Sequence, residues 1–369
     1  MTTTKINNEE LESKVISFLR FPLIVGVVFI HAQFFVVPID GNLIDIENFS
    51  ISHKTMRILS QGICDLCVPL FFAISGFLYF RIKDFNFFNY LNKTKGRIKT
   101  LVIPYLFWNT SIIFFFYLAY LLSPDMMSGM NKPIIEYSWQ DWLWAYWNKD
   151  KINGFVEGGA PLALQFWFIR DLFIISLFSP LIYILIKRIG VWTILLLFSI
   201  NILDFIPKIP GFDIQAWVFF SLGAYFSINK RTFLSSSTYL IKICAFLYIL
   251  SFIIYFIKED IFESFYLWYL NILSGMVLLV NIVAWGILTY KWFLPKFIVK
   301  SSFFIFAYHA IPCLALTRLS FKLFNPSNDL GLLCVYLICP IITILSGLIV
   351  YYALTKYLPR FTAIITGGR

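Results

Sequence analysis

Long apolar runs separated by short polar segments dominate the chain. A membrane-spanning helix needs about 20 apolar residues, and ten runs approach or exceed that length. Their approximate limits are 15–37, 60–80, 101–122, 163–186, 191–206, 213–228, 239–257, 265–289, 297–316 and 330–354. The pattern predicts an all-α, polytopic integral membrane protein with about ten transmembrane helices, forming a single domain over residues 1–369.

The composition supports this prediction and excludes soluble and disordered classes. Of 369 residues, 59% are hydrophobic and only 14% are charged, whereas globular proteins carry about a quarter of charged residues. The six cysteines all lie in apolar runs, including the pair in Cys64-Asp65-Leu66-Cys67. They are interpreted as small buried residues, so no disulfide framework and no metal site is predicted.

The charge distribution predicts the orientation of the chain. The formal net charge is +10, and most lysines and arginines fall on the side of the N-terminus if successive loops alternate across the bilayer. Most acidic residues fall on the other side. The positive-inside rule therefore predicts cytoplasmic N- and C-termini, and the basic balance requires no nucleic-acid partner.

One long external loop, about 123–162, is rich in tryptophan. Trp139, Trp142, Trp144 and Trp147 are spaced as in an amphipathic segment that lies in the membrane interface. Two interpretations are open at this stage. The tryptophans form an aromatic anchor at the interface, or they form a platform that stacks on a sugar ring.

Two ionisable residues share the first predicted helix. Arg20 and His31 are eleven positions apart, which corresponds to three helical turns with about 20° left over and to about 16 Å along the axis. Both side chains therefore share one face. An ionisable group within a span marks a functional site by default, although a snorkelling arginine and a satisfied buried histidine are the ordinary alternatives.

Further polar residues lie in or beside the predicted spans. Asp65, Asp171 with its neighbour Arg170, and His309 all fall toward the outer half of the membrane, where a structural ion pair is the alternative to a functional role. On the cytoplasmic side, the segment 92–100 contains Lys95, Arg97 and Lys99. These residues either enforce orientation or bind phosphates.

Several of these segments together resemble the membrane acyltransferase-3 family. The chain has its Arg-x10-His pattern from Arg20 to His31, and 68–77 is similar to its Val-Pro-Leu-Phe-Phe…Ser-Gly-Phe signature. Further similarity lies in Pro104-Tyr105 after the basic loop, in the fourth-helix segment 166–172, and in the late helix 302–309. The resemblance covers about residues 12–355. One departure is that many members have Arg-x-x-Arg in the first cytoplasmic loop, whereas here Arg97 is followed by Ile98, Lys99 and Thr100.

The resemblance implies transfer of an acyl group, usually acetyl, from cytoplasmic acyl-CoA to a sugar hydroxyl. The acceptor would be a lipid-linked or surface glycan such as exopolysaccharide, O-antigen or enterobacterial common antigen, in the bacterial cytoplasmic membrane. His31 is the expected base or acyl carrier, with Asp65 or Asp171 to orient it and His309 as a further catalytic candidate. The expected donor-binding residues are Arg20, Ser75, Lys95, Arg97 and Lys99. The alternative function is a transporter or flippase of a glycan precursor, because buried Arg, His and Asp also mark transport pathways.

Overall fold

Helices make up most of the protein. The computed structural model describes residues 7–39, 42–82, 84–122, 132–152, 159–203, 209–257 and 265–368. In chain order, the helices of these residues are α1 (Asn8–His31), α2 (Ser50–Met56), α3 (Cys67–Phe80), α4 (Phe87–Arg97), α5 (Ile103–Leu122), α6 (Trp139–Trp147), α7 (Trp167–Leu177), α8 (Ser179–Ile189), α9 (Trp192–Ile202), α10 (Ile214–Ile228), α11 (Phe233–Thr238), α12 (Ile241–Ile257), α13 (Phe265–Tyr290), α14 (Lys296–Tyr308), α15 (Ala310–Phe324), α16 (Asp329–Tyr357) and α17 (Pro359–Ile365). Two π-helical segments, Arg57–Cys64 and Ile98–Val102, precede α3 and α5.

Every predicted apolar run lies largely on helix. Within the described residues, five helical stretches are long and apolar enough to cross a membrane: Asn8–His31, Ser50–Phe80, Phe87–Leu122, Tyr266–Tyr290 and Asp329–Tyr357. Two bent pairs raise the number to seven if each pair is one span, and three shorter apolar helices cover the remaining runs. The helical class is confirmed. The count of ten spans and the N-in, C-in orientation stay predictions.

Two predicted spans are broken rather than continuous. The run 163–186 is divided between α7 and α8 with a bend of 62°, and the run 297–316 is divided between α14 and α15 with a bend of 65°. Each break is followed within three residues by a proline, Pro180 or Pro312. Because proline has no N–H and clashes with the carbonyl four residues earlier, it ends or kinks a helix at this position.

The first helix ends earlier than its apolar run predicts. The run 15–37 predicts helix to residue 37, whereas α1 ends at His31 and the chain continues into a β-hairpin. Strand β1 (Val36–Ile39) pairs antiparallel with β2 (Asn42–Asp45), with Val37 opposite Ile44. β-branched residues followed by Asp40-Gly41 are the usual sequence signal for a hairpin. The expectation of helix alone is wrong at this point.

The chain groups into two compact units. Unit 1 contains Met1–Ile74 and Asn229–Ala353, and unit 2 contains Ser75–Ile228 and Leu354–Arg369. Unit 1 therefore holds α1, the hairpin, α2 and α11–α15, and unit 2 holds α4–α10 and α17. The boundaries between the units fall within α3 and α16. The single-domain interpretation stays a prediction.

In unit 1, helix α1 packs closely against the start of α3 at a glycine. Gly26 is buried, and a Cβ atom placed there would lie less than 3.0 Å from Sγ of Cys67. Cβ of Cys64 would be 3.5 Å away. The two cysteines of the Cys-x-x-Cys segment are free thiols packed against α1. They act in this structure as small packing residues.

We expect Gly26→Ala to destabilise unit 1, although alanine is the better helix former by about 1 kcal/mol. The added methyl group overpacks the contact with Cys67, at a cost of about 1–3 kcal/mol. A lower melting temperature of the purified protein in detergent is the measured outcome. Cys67→Ala in the same chain removes the clashing sulfur and should restore most of the loss. A melting temperature that rises on Gly26→Ala alone would contradict this packing.

The predicted external loop contains a short capped helix in unit 2. Residues 123–131 and 153–158 of the predicted loop lie outside the described residues. Ser138 caps α6, and the carboxylate of Asp141 accepts hydrogen bonds from Lys132 at 2.6 Å and from Ser138. These donors lower the pKa of Asp141 to about 2. Trp139 is 71% exposed and Trp142 37% exposed, so α6 presents tryptophan outward. The interfacial anchor and the stacking platform both stay predictions.

Candidate active site

Two histidines meet in unit 1, although they are far apart in the sequence. His31 is the last residue of α1, and His309 lies at the bend between α14 and α15. Their ring centroids are 5.2 Å apart with a 45° angle between the planes. His31 is exposed, whereas His309 is completely buried. The pair therefore consists of one accessible imidazole and one buried imidazole beside it.

Hydrogen bonding sets the tautomer of the buried histidine. Nδ1 of His309 lies 2.7 Å from the carbonyl oxygen of Phe306 and 3.3 Å from that of Ile305. Since both neighbours are acceptors, Nδ1 carries the proton and donates it. Nε2 has no hydrogen-bond partner among the described residues. A neutral His309 thus presents an unused acceptor lone pair in a buried position, which is costly unless a ligand or a proton uses it.

The bend between α14 and α15 allows His309 to take this position. Pro312 cannot donate to the carbonyl of residue 308, so the helix changes direction at His309 instead of continuing. The backbone N–H of His309 still donates to Ile305 at 3.0 Å, and that of Cys313 donates to His309 at 2.9 Å. His309 is therefore anchored on both sides of the bend.

A polar network lies next to the C-terminal end of α1. The Ser60 hydroxyl donates to the carbonyl of Phe29 at 2.8 Å, so Tyr336 is the donor in its 2.7 Å hydrogen bond with Ser60. Gln61 donates to Gln33 at 3.3 Å. Ser60 and Gln61 belong to the π-helical segment Arg57–Cys64. π-helical turns occur frequently at functional sites because they re-aim side chains out of the regular ladder.

Arg20 lies on the same unbroken helix as His31. Both side chains are exposed, whereas Leu23, Ile24 and Val28 between them are buried. This pattern agrees with the shared face that their spacing predicts. Eleven residues of continuous helix separate them by about 16 Å along the axis.

Asp65 has a hydrogen-bond partner that the sequence did not indicate, and its role in orienting His31 stays a prediction. Its carboxylate accepts a hydrogen bond from Nε1 of Trp268 on α13. Trp268 could not be recognised from the sequence, because an aromatic residue within an apolar run is expected to face lipid or core. The same holds for Tyr336, whereas Ser60 and Gln61 are visible as polar residues at the start of an apolar run.

Asp171 forms a buried ion pair within unit 2. Nε of Arg170 donates to Oδ1 of Asp171 at 2.8 Å, and the two side chains are 4% and 1% exposed. The guanidinium also donates to the carbonyl of Trp147 and lies 5.3 Å from the indole ring. Arg170 thereby ties the end of α6 to α7. These contacts are those of a buried ion pair, and the catalytic role of Asp171 stays a prediction.

The basic segment of unit 2 is organised around one tyrosine. The guanidinium of Arg97 lies 5.3 Å from the ring centroid of Tyr79, and Nζ of Lys93 lies 5.0 Å from it. Lys93 also donates to the carbonyl of Tyr79. Lys95 and Lys99 are exposed. Lys93 was not among the predicted donor-binding residues. Ser75 is half-buried in α3.

The described residues contain no cluster of three or more His, Cys, Asp or Glu side chains placed to hold a metal ion.

Most of the chain matches one protein family. Residues 14–352 match the family model described as an acyltransferase domain. The chain belongs to the acyltransferase-3 family. The resemblance based on five motifs is confirmed, and the match covers nearly the whole chain. Together with the apolar helices, membership identifies a multi-pass membrane protein with an acyltransferase domain.

One relative adds a biological context. The succinoglycan biosynthesis protein ExoH of Rhizobium meliloti is 30% identical over 220 residues, which cover 58% of this chain and 54% of the relative. The chain thus spans about half the length of that relative. No solved structure matches the chain.

Proposed function

We propose that this protein transfers an acyl group, most simply acetyl, from acyl-CoA to a hydroxyl of a cell-envelope glycan. Membership of the acyltransferase-3 family supports acyl transfer, and the printed name of the succinoglycan relative supports a polysaccharide acceptor. We further propose that the enzyme works in the bacterial cytoplasmic membrane with the donor on the cytoplasmic side.

The pairing of His31 with His309 is the observation that carries the proposal. O-acylation needs a base for the hydroxyl proton or a nucleophile for the acyl group. His31 is exposed, so a substrate can reach it, and His309 lies behind it with its Nδ1 proton committed to backbone carbonyls. Imidazole exchanges protons near neutral pH, which suits it to either task.

In the simplest route, His31 acts as a general base. The glycan hydroxyl oxygen attacks the thioester carbonyl carbon while His31 takes the hydroxyl proton. The tetrahedral oxyanion then collapses, the carbon–sulfur bond breaks, and the imidazolium of His31 returns the proton to the departing CoA thiolate. The products are the glycan ester and free CoA. In this scheme His309 is a positioning residue that holds His31 through its buried ring.

The donor is proposed to be held by positive charge. Arg20, exposed on α1 about 16 Å from His31, is assigned to the pantetheine or pyrophosphate part of acyl-CoA. Lys95, Arg97 and Lys99 of unit 2 are assigned to electrostatic attraction of the phosphates. Ser75 keeps its assignment from the family resemblance alone.

The test uses membranes that contain the protein and native lipid-linked glycans, supplied with radiolabelled acetyl-CoA. We expect label in the glycan fraction, and none in membranes without the protein. If no label is transferred, succinyl-CoA and longer acyl-CoA donors are tested in the same membranes. Failure of all donors, combined with passage of labelled glycan precursor across the bilayer, would replace this proposal with the transporter alternative. Collapse of the proton gradient separates the two, because only coupled transport depends on it.

We expect Arg97→Ala to raise the apparent KM for acetyl-CoA about tenfold and to leave kcat nearly unchanged. Arg97 lies over the ring of Tyr79, a contact that holds the guanidinium in place. If this guanidinium binds a donor phosphate, the lost ground-state contact appears in KM. Arg97→Lys keeps the charge but loses the planar fork, so an intermediate KM is expected. Arg188→Ala, an exposed arginine at the end of α8, is the matched control. A fall in kcat alone would refute the donor-binding role.

A further inference from the structure

A cleft of about 320 Å³ opens in unit 1 between the first part of α1 and the connection from α13 to α14. Its polar lining consists of Lys14, Ser17 and Lys291. The remaining walls are apolar and include Phe18, Trp292 and Val299. The cleft is thus amphipathic, with two ammonium groups beside a hydrophobic surface.

The backbone forms this cleft in a defined way. α13 ends at Tyr290, and Lys291 adopts a left-handed conformation with φ of 56°, which reverses the chain direction. Trp292 then folds back onto α13, where its backbone N–H donates to the carbonyl of Gly286 at 3.2 Å. A Cβ at Gly286 would lie less than 3.0 Å from the indole. The glycine therefore allows Trp292 to lie flat against the helix.

The indole of Trp292 also forms the cleft wall next to α1. The rings of Phe18 and Trp292 are stacked with centroids 5.9 Å apart and a 20° interplanar angle. Trp292 is 39% exposed and Phe293 80% exposed. Tryptophan and lysine at the end of an apolar helix are typical of the headgroup level of a membrane. The predicted orientation of the chain places this end at the cytoplasmic leaflet, where anionic lipids attract basic residues.

The charges in the cleft are only partly neutralised. Nζ of Lys14 lies 2.7 Å from Glu10, in a pair whose side chains are 47% and 56% exposed. Exposed pairs of this kind are weak. Nζ of Lys291 donates to the carbonyl of Leu288 at 3.1 Å, which leaves its positive charge without a counter-charge in that contact. A ligand that fits must offer negative charge to the lysines and an apolar portion to the aromatic wall.

We propose that this cleft binds the phosphate headgroup of an anionic phospholipid. The phosphate lies between Lys14 and Lys291 with the Ser17 hydroxyl as a further donor, and an acyl chain lies along Phe293 and Val299. The proposal is independent of the acyl-transfer reaction. The phosphates of acyl-CoA offer the same chemistry, so the experiment tests both sources separately.

The experiment titrates the purified full-length protein in detergent with phosphatidylglycerol, phosphatidylcholine or acetyl-CoA and counts bound ligand by native mass spectrometry. The test variant is Lys14→Gln combined with Lys291→Asn, since asparagine tolerates the left-handed conformation. The matched control is Lys300→Gln, an exposed lysine on α14 outside the cleft lining. A thermal melt checks that each variant is folded.

We expect phosphatidylglycerol to bind the wild type about tenfold more tightly than phosphatidylcholine, and the double variant to lose this preference while Lys300→Gln keeps it. Equal binding of phosphatidylglycerol to the wild type and the double variant would overturn the proposal. It would also be overturned if the double variant lost affinity for acetyl-CoA and kept its affinity for phosphatidylglycerol, since the cleft would then belong to the donor. Failure of acyl transfer itself would leave these binding outcomes unaffected.

Discussion

His31→Ala is expected to reduce acyl transfer at least about 1,000-fold, which corresponds to about 4 kcal/mol of lost transition-state stabilisation. His31 is the accessible member of the histidine pair, so its removal takes away the proposed base or acyl carrier while it leaves α1 intact. Because the side chain is exposed at the last residue of the helix, little packing is lost. The measurement is the initial rate of label transfer from acetyl-CoA to glycan, with the amount of protein in the membrane held equal.

His53→Ala is the matched control for this prediction. The chain has three histidines, and His53 lies half-buried on α2, outside the pair. Its replacement should leave transfer within a few-fold of the wild type. Transfer by His31→Ala at a near-normal rate would remove His31 from the chemistry and with it the mechanism proposed above.

His309→Ala is expected to cost about 100-fold or more in transfer, the second-largest effect. The substitution removes the ring that contacts His31 and leaves the carbonyls of Ile305 and Phe306 without their side-chain donor. If the two histidines act as one unit, the double variant His31→Ala, His309→Ala should be no slower than His31→Ala alone. Initial rates of the wild type, the two single variants and the double variant form the double-mutant cycle that tests this coupling.

Two conservative variants separate the chemical role of His309 from its structural one. Asparagine can place a donor near the position of Nδ1, and glutamine can place a polar group near that of Nε2. If the group at Nε2 positions His31, His309→Gln should retain more transfer than His309→Asn. Higher activity in His309→Asn, with a melting temperature like that of the wild type, would assign His309 only to stabilisation of the bend between α14 and α15.

Local sequence patterns determined the helical architecture well. Each apolar run predicted a helix, because a chain in lipid must satisfy its backbone polar groups internally. The α-helix does so with neighbouring residues only. The prolines at 180 and 312 and the pair Asp40-Gly41 are equally local signals. The prolines account for the two bent helix pairs, and the Asp-Gly pair is the signal for a hairpin. The prediction from apolar runs alone did not use these signals.

Only part of the candidate site could be predicted from the sequence. The spacing of Arg20 and His31 along one helix could be calculated, since helix geometry is the same in every sequence. The individual roles of Asp65 and Asp171 could not be separated, because both are carboxylates beside apolar runs. The structure distinguishes them through their partners, Trp268 for Asp65 and Arg170 for Asp171.

The sequence by itself determined the helical class, the membrane character, the family and the presence of Arg20 and His31 on one helix. Each of these depends on residues that are close together in the chain or on motifs in a fixed order. Only the tertiary structure decided that His309 packs against His31, that Tyr336 donates to Ser60, and that Trp292 closes a cleft with Lys14. Such contacts depend on how distant helices pack side by side, and hydrophobic patterning states which face is buried without stating which helix covers it.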